Sequence, residues 1–188
     1  MNSNKVCPVE GAGGLDNKLR RLFQNPVKLL RPFVEGDMSV LDFGCGPGFF
    51  TIDIAKMLGE KGNVTAVDLQ QGMLDKLEKK IRGTHLEQKI RLHKCGPNRI
   101  DLTEKFDLIL AFYMIHEVPD QDVLFQEFRS LLKPGGKVLI VEPKFHVSKE
   151  SFHAMTEKIR KYGYEIVEQP RFSLSRSLVI EYNGLQTG

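Results

Sequence analysis

Short apolar runs alternate along the chain with longer amphipathic stretches. The runs have the length and β-branched content of strands, and the stretches carry apolar residues at helical spacing. This alternation is typical of a parallel sheet covered by helices, because parallel strands need crossover connections. Strands are predicted at residues 39–43, 63–69, 90–93, 106–112, 137–141, 164–169 and 177–182.

Helices are predicted at 50–58, 72–81, 122–132 and 148–162, and a helical region at 15–33 that Pro26 and Pro32 interrupt. Ser148 is the expected N-cap of the last helix and Gly163 the residue after its end. Lys133-Pro134-Gly135-Gly136 is a strong breaker before the fifth strand. The last two strands have no helix between them, so we expect them to pair antiparallel at one edge of the sheet.

These elements predict an α/β fold: a doubly wound, mostly parallel seven-stranded sheet with an antiparallel edge strand and helices on both faces. The chain has 188 residues and 41% hydrophobic content, which suits a single domain with a real core. We expect one domain over 1–188, with an N-terminal helical segment at 1–34 and the core at 35–188.

Composition narrows the function classes. The net charge of +3 is too small to indicate a nucleic-acid partner, and no apolar run is long enough to cross a membrane. The three cysteines, Cys7, Cys45 and Cys95, form no CxxC pair, which fits a reducing compartment. We therefore expect a cytoplasmic protein, a monomer or a homodimer, that binds neither nucleic acid nor membrane.

A glycine-rich turn follows the first strand. Gly44, Gly46 and Gly48 lie between that strand and the next helix, and Asp68 closes the second strand. Glycines let the chain reverse tightly and let a ligand approach the backbone. A carboxylate at the end of the second strand can accept hydrogen bonds from both hydroxyls of a ribose. The arrangement predicts the nucleotide-binding half of a doubly wound fold.

Two ligands compete for this turn. NAD requires Gly-x-Gly-x-x-Gly, but Phe49 occupies the position of the third glycine. Gly48 comes one residue early, after Pro47, and this tighter turn suits S-adenosylmethionine (SAM), which has no pyrophosphate to place on the helix. The alternative is a turn that only joins the strand to the helix and binds no ligand. The acid at the end of the second strand, Asp68, would then be there by coincidence. The spacing favours SAM.

Four segments then carry a resemblance to a known family. They are VLDFGCGPGFFT at 40–51, VTAVDL at 64–69, FDLILAFYMIHEVPD at 106–120 and LLKPGGKVLIVEP at 131–143. Their order and content resemble the motifs of class I SAM-dependent methyltransferases, particularly small prokaryotic ones, over about residues 35–145. The resemblance implies a Rossmann-like fold, SAM as the cofactor and methyl transfer as the activity.

The resemblance also implies site residues. Gly44, Gly46 and Gly48 would line the methionine part of SAM, Asp42 would lie near its ammonium group, Asp68 would hold the ribose and Leu69 would pack beside the adenine. The rest of the expected cofactor set is Cys45, Met73, Cys95, Gly96 and Phe112. Many relatives have an acid after the third strand for the adenine amine, whereas this chain has His93-Lys94-Cys95-Gly96-Pro97 there. Adenine recognition would then use backbone and apolar contacts, because Asp101 comes several residues late.

The acceptor side is expected where strands four and five end. Tyr113, His116 and Glu117 follow strand four, and Glu142 and His146 follow strand five. One reading makes a histidine the general base, with Tyr113, His116 and His146 as the candidate catalytic residues. A second has both histidines bind a metal with Glu117 or Glu142, and a third gives all of them structural roles at strand ends. We assign no metal.

The predicted activity is methylation of a small-molecule acceptor. The segment after strand four lacks the Asn/Asp-Pro-Pro-aromatic pattern of enzymes that methylate amines of nucleic-acid bases. Arsenic bound by cysteine thiolates is one alternative, and a non-catalytic SAM-binding sensor or scaffold is another. The glycines at 11–14, followed by a basic segment, could act as a lid over an anionic substrate or be an unstructured end.

Overall fold

The computed structural model describes residues 24–182. Its strands are β1 (Ser39–Phe43), β2 (Asn63–Asp68), β3 (Ile90–Lys94), β4 (Phe106–Phe112), β5 (Leu132–Pro143), β6 (Tyr164–Glu168) and β7 (Ser175–Tyr182). They form one sheet in the order β3-β2-β1-β4-β5-β7-β6. Strands β1 to β5 pair in parallel, and β7 runs antiparallel to both β5 and β6. The predicted fold class, with antiparallel pairing at one edge, is confirmed.

The helices are α1 (Pro26–Leu30), α2 (Thr51–Met57), α3 (Gln71–Ile81), α4 (Gln121–Leu131) and α5 (Lys149–Lys161), with one 3-10 turn at Ile115–Glu117. Both predicted ends of α5 are confirmed: the Ser148 side chain accepts from the Ser151 N–H, and Gly163 has a φ of +82°.

The structure describes only the last part of the helical region predicted at 15–33. Pro26 begins α1, where a missing N–H costs nothing, instead of interrupting a longer helix. The predicted helix before residue 24 and the predicted lid lie outside the described residues and stay predictions.

The sheet separates two apolar cores. Successive β1 residues point to opposite faces, so Val40 packs with α1, α2 and α3 while Leu41 packs with α4 and α5. Ile54 anchors the first core and Phe128 the second, and both are completely or almost completely buried. This two-sided burial explains why β4 is apolar at nearly every position and why its bounds could be predicted from the sequence.

Strand β5 begins earlier than predicted. Leu132 already pairs with Phe106, and the register shifts before Leu108 meets Lys137. Gly135 has a φ of +73°, and Gly136 passes so close to the Phe106 carbonyl that a side chain would clash with it. The Pro-Gly-Gly segment therefore forms an irregularity within a paired strand, because pairing with β4 outweighs the local breaker pattern.

The topology fixes where a site can form. Strand β1 lies between β2 and β4, so the chain leaves β1 and β4 in opposite directions at their carboxyl ends. Open α/β sheets bind ligands in the crevice at such a switch point. Within residues 24–182, no helix is both long enough and apolar enough to span a membrane.

Candidate active site

A cavity opens at the switch point, and we call it the glycine-turn cavity. Its walls are the turn after β1, the ends of β2, β3 and β4, and the α4 side chains Leu124 and Glu127. The predicted cofactor residues that line it are Asp42, Gly44, Cys45, Gly46, Asp68, Leu69, Met73, Cys95, Gly96 and Phe112.

Asp68 locks the glycine turn to the end of β2. One carboxylate oxygen accepts from the Gly46 N–H at 2.9 Å, and the other accepts from the Gln70 N–H at 2.8 Å. The Gly44 and Cys45 N–H groups both donate to the Val67 carbonyl. Because a carboxylate oxygen can accept more than one hydrogen bond, Asp68 can still receive ligand hydroxyls.

The glycines of the turn have different environments. Gly46 has a φ of +53° and open space where a side chain would project, as expected beside a ligand. Gly48 does not line the cavity: a side chain there would meet Leu77 of α3 at 2.4 Å. Gly48 was expected to contact the methionine part of SAM, but it is not among the residues that line the cavity. Its small size instead permits close packing of the turn on α3.

The cavity is acidic. Burial raises the pKa of Asp42 to about 6, although the Thr51 hydroxyl opposes this with a 2.6 Å hydrogen bond and the Asp68 charge adds to it. Burial also raises the pKa of Asp68 and of Glu117, which lines the cavity beside them. Among the described lining residues Arg99 carries the single positive charge. Such a lining suits the ammonium and sulfonium charges of SAM and opposes the pyrophosphate of NAD.

The two described cysteines are free and buried, which disfavours their thiolate forms. Burial raises the pKa of Cys45 well above its usual value and that of Cys95 to about 11, and nearby carboxylates add to both effects. Thiolates are therefore scarce at neutral pH, and these two residues lend no support to the arsenic alternative. Cys7 lies outside the described residues.

A second group of side chains lies beside the cavity. It consists of Tyr113, His116, Glu142, Phe145 and His146, and we call it the histidine rim. Glu142 is 1% exposed; one of its oxygens accepts from the Ile115 N–H, and the other lies 2.5 Å from His116 Nδ1. The rings of His116 and His146 stack at 5.8 Å between centroids and 11° between planes.

Glu142 sets the protonation of His116. A carboxylate can only accept, so His116 carries its proton on Nδ1 and keeps Nε2 as the basic atom. Burial alone would lower the pKa of His116, but the hydrogen bond and the charge of Glu142 outweigh it and raise this pKa above its usual value. The arrangement can hold a histidine ready to take a proton at Nε2.

Tyr113 joins the rim to the cavity, which it also lines. Its φ of +63° is unusual for a bulky residue. Its hydroxyl accepts from the Gln24 amide at 2.7 Å and lies 2.6 Å from the Ser175 hydroxyl. Because the hydroxyl is held from two sides, Tyr113 is better suited to shaping the site than to exchanging protons.

The structure thus brings His116, His146 and Glu142 together, as the sequence predicted, but neither histidine lines the cavity. The cavity wall instead includes Tyr113, Met114 and Glu117, on either side of His116. Within residues 24–182, no three His, Cys, Asp or Glu side chains are arranged to hold a metal ion. The metal alternative therefore has no support from the described residues.

Comparisons with known proteins agree with this geometry. A family model described as a methyltransferase domain matches residues 35–177. The chain belongs to this methyltransferase family. The predicted membership of the class I SAM-dependent methyltransferases is therefore confirmed. The predicted cofactor, SAM, is confirmed as well.

Curated relatives of the methyltransferase domain are longer proteins. The demethylmenaquinone methyltransferase of Lactobacillus johnsonii is 38% identical over 130 residues, which are 69% of this chain and 51% of that protein. The ubiquinone/menaquinone biosynthesis C-methyltransferase of Shewanella piezotolerans is 29% identical over 126 residues, 65% of this chain and 50% of that protein. The chain spans about half the length of these relatives.

A solved structure supports the fold. The SAM-dependent methyltransferase from Aquifex aeolicus superposes with a TM-score of 0.84 and covers 94% of this chain and all of that one, at 24% identity.

Three residues at or beside the cavity were not predicted from the sequence. Met114 lies over Gly44, where it would overlap any side chain, and Glu127 reaches the cavity from α4. Ser175 contacts Tyr113 from the start of β7. Met114 lies within the motif segment at 106–120 but was not assigned to the site, whereas Glu127 and Ser175 belong to no local motif. Leu124 and Glu127 are one helical turn apart and therefore share a face of α4.

Proposed function

We propose that this methyltransferase domain methylates a small ring compound of the quinone class, with SAM as donor and His116 as general base. The acceptor class comes from the relatives, whose names state demethylmenaquinone and ubiquinone or menaquinone biosynthesis. The observation that carries the proposal is the His116–Glu142 pair, which lies one residue from the cavity-lining Glu117. Tyr113 and Phe145, with ring centroids 6.4 Å apart, offer apolar faces to a ring.

We assign the roles of Asp42 and Asp68 as the family resemblance implies, and both residues line the cavity. Asp42 would face the SAM ammonium group and Asp68 the ribose hydroxyls. When bound, SAM supplies a methyl group that is already activated by its positive sulfur. The chain must therefore align the acceptor and remove its proton. His116 would take a hydroxyl proton of the reduced ring at Nε2, and Glu142 would stabilise the resulting imidazolium. A ring carbon next to the ionised oxygen would then form a bond to the methyl group as the bond from that group to sulfur breaks, and loss of the proton on this carbon would restore the aromatic ring.

Label transfer tests the proposal. The purified chain is incubated with methyl-labelled SAM and either a reduced, demethylated naphthoquinol, a catechol or a thiol. We expect label in the naphthoquinol, and about a 10²- to 10⁴-fold lower rate for His116→Ala, because general bases contribute that much. His153→Ala, an exposed histidine of α5, is the matched control and should transfer at the wild-type rate.

Two results would contradict the proposal. Label that appears in another acceptor and never in the naphthoquinol would exclude the quinone class, and an unchanged rate in His116→Ala would exclude the general base. The non-catalytic sensor has no support from the comparisons. The cytoplasmic location, the monomeric or dimeric state and the absence of a nucleic-acid partner stay predictions.

A further inference from the structure

The loop after β3 forms one part of the wall of the glycine-turn cavity. Gly96 donates its N–H to the Arg99 carbonyl, and His93 donates from Nε2 to the Ile100 carbonyl at 2.6 Å. The Ile100 N–H in turn donates to Glu127 Oε2 at 2.9 Å. The loop is thus fastened at both ends, and one of its fastenings is a carboxylate that also lines the cavity.

The polar groups in this part of the wall are mostly in use. The Cys95 N–H donates to the Asp68 carbonyl, and the Gly96 N–H is taken by Arg99. Asp120 caps α4 through the N–H groups of its first turn. Within residues 24–182, the second oxygen of Glu127, Oε1, has no hydrogen-bond partner. The N–H groups of Cys95 and Gly96 are therefore not available as hydrogen-bond donors to the adenine ring.

The Glu127 carboxylate is placed to supply a hydrogen-bond acceptor for the adenine. Its charge acts on the Cys95 thiol, so it lies close to the place where the third strand lacks an acid. Asp101, the next acid along the chain, does not line the cavity. The purine of SAM carries an exocyclic amine, which donates hydrogen bonds and is matched only by an acceptor.

We propose that Glu127 recognises the purine of the cofactor, with Oε2 held by the Ile100 N–H and Oε1 accepting from the exocyclic amine. This inference rests on SAM as the cofactor of the proposed function, but it concerns binding and needs no methyl transfer. It assigns base specificity to a residue of α4, about 30 positions beyond the end of β3.

Calorimetry with two ligands tests this role. One ligand is S-adenosylhomocysteine, and the other is its deaminated analogue, S-inosylhomocysteine, in which a carbonyl oxygen replaces the amine. The wild-type chain should prefer the amino ligand by about 10- to 100-fold, the range for a hydrogen bond to a charged group. In Glu127→Gln this ratio should fall to within about 3-fold. With the amide oxygen held by the Ile100 N–H, the other terminal position carries an NH2 group, which can only donate and so cannot accept from the exocyclic amine.

The ratio of the two affinities does not depend on whether the substitution also loosens the loop, because a loosened loop would weaken the binding of both ligands equally. Asp101→Asn is the matched control and should keep the wild-type ratio. An unchanged ratio in Glu127→Gln, or a wild-type chain that does not distinguish the two ligands, would overturn the inference. If the wild-type ratio is as expected but no acceptor is methylated, the proposed function fails while the role of Glu127 stands.

Discussion

The glycine-turn cavity and the histidine rim are built in opposite ways. In the cavity the backbone and buried carboxylates hold one another: Asp68 is bonded through both oxygens and Asp42 through Thr51. At the rim only Glu142 is deeply buried, whereas Phe145 is 69% exposed. The cavity that we propose for the donor is therefore preformed, while the rim that we propose for the acceptor presents side chains to solvent. Changes in one region should leave the function of the other nearly intact.

Asp68→Ala should give the largest effect. It removes the expected ribose contact and frees the N–H groups of Gly46 and Gln70, so S-adenosylhomocysteine should bind about 100-fold or more weakly, the loss of two charge-assisted hydrogen bonds. Calorimetry measures this. Asp75→Ala, on the exposed face of α3, is the control, and wild-type affinity in Asp68→Ala would contradict a donor site built on this carboxylate.

Glu142→Gln should act on the rim alone. Glu142 raises the pKa of His116, so the general base must lose its proton before it can act, and activity should rise with pH through that raised pKa. Without the Glu142 charge the midpoint of the pH–rate profile should move to lower pH, and the plateau rate should drop about 10- to 100-fold, as for other orienting partners. A profile that keeps its midpoint would show that Glu142 does not tune His116.

Two glycine substitutions should separate packing from binding within the cavity. Gly48→Ala introduces a clash with Leu77 and should lower the free energy of unfolding by about 1–3 kcal/mol, as overpacking does. Gly46→Ala projects into open space, so it should lose only the roughly 1 kcal/mol that a side chain costs at a positive φ. Gly48 also has a positive φ and meets Leu77 in addition, so Gly48→Ala should be the less stable variant, while Gly46→Ala should mainly weaken ligand binding. Thermal melting and calorimetry of both variants check this, and equal losses of stability would contradict the different environments of the two glycines.

Acid should weaken donor binding through Asp42. Its pKa of about 6 lies above the usual value, so it is ionised above pH 6 and protonated below. The proposed attraction between the Asp42 carboxylate and the SAM ammonium group should therefore be present at pH 7.5 and lost as the pH falls through 6, which predicts about 10-fold weaker binding at pH 5. In Asp42→Asn, calorimetry should show a weak affinity for SAM that changes less with pH near pH 6. If the affinity of this variant keeps the pH dependence of the wild type, Asp42 is not the titrating group.

Local patterns account for the parts of the molecule that could be predicted. The glycine turn and Asp68 are adjacent to the strands that position them, and the apolar run of β4 reflects burial on both faces. Glu127, Ser175 and Gln24 could not be found this way, because they meet the site through contacts between distant segments. The start of β5 was missed for a related reason: pairing with Phe106 decides it, and the local sequence favours a turn.

We propose that the glycine-turn cavity binds the donor and that the histidine rim serves the acceptor. Two measurements on His116→Ala test this division of roles most directly. Calorimetry gives the affinity for S-adenosylhomocysteine, and a single-turnover experiment with labelled SAM and the naphthoquinol gives the rate of methyl transfer. We expect an affinity within about 3-fold of wild type and a rate at least about 100-fold lower. A parallel loss of affinity and rate, or an unchanged rate, would contradict this division of roles.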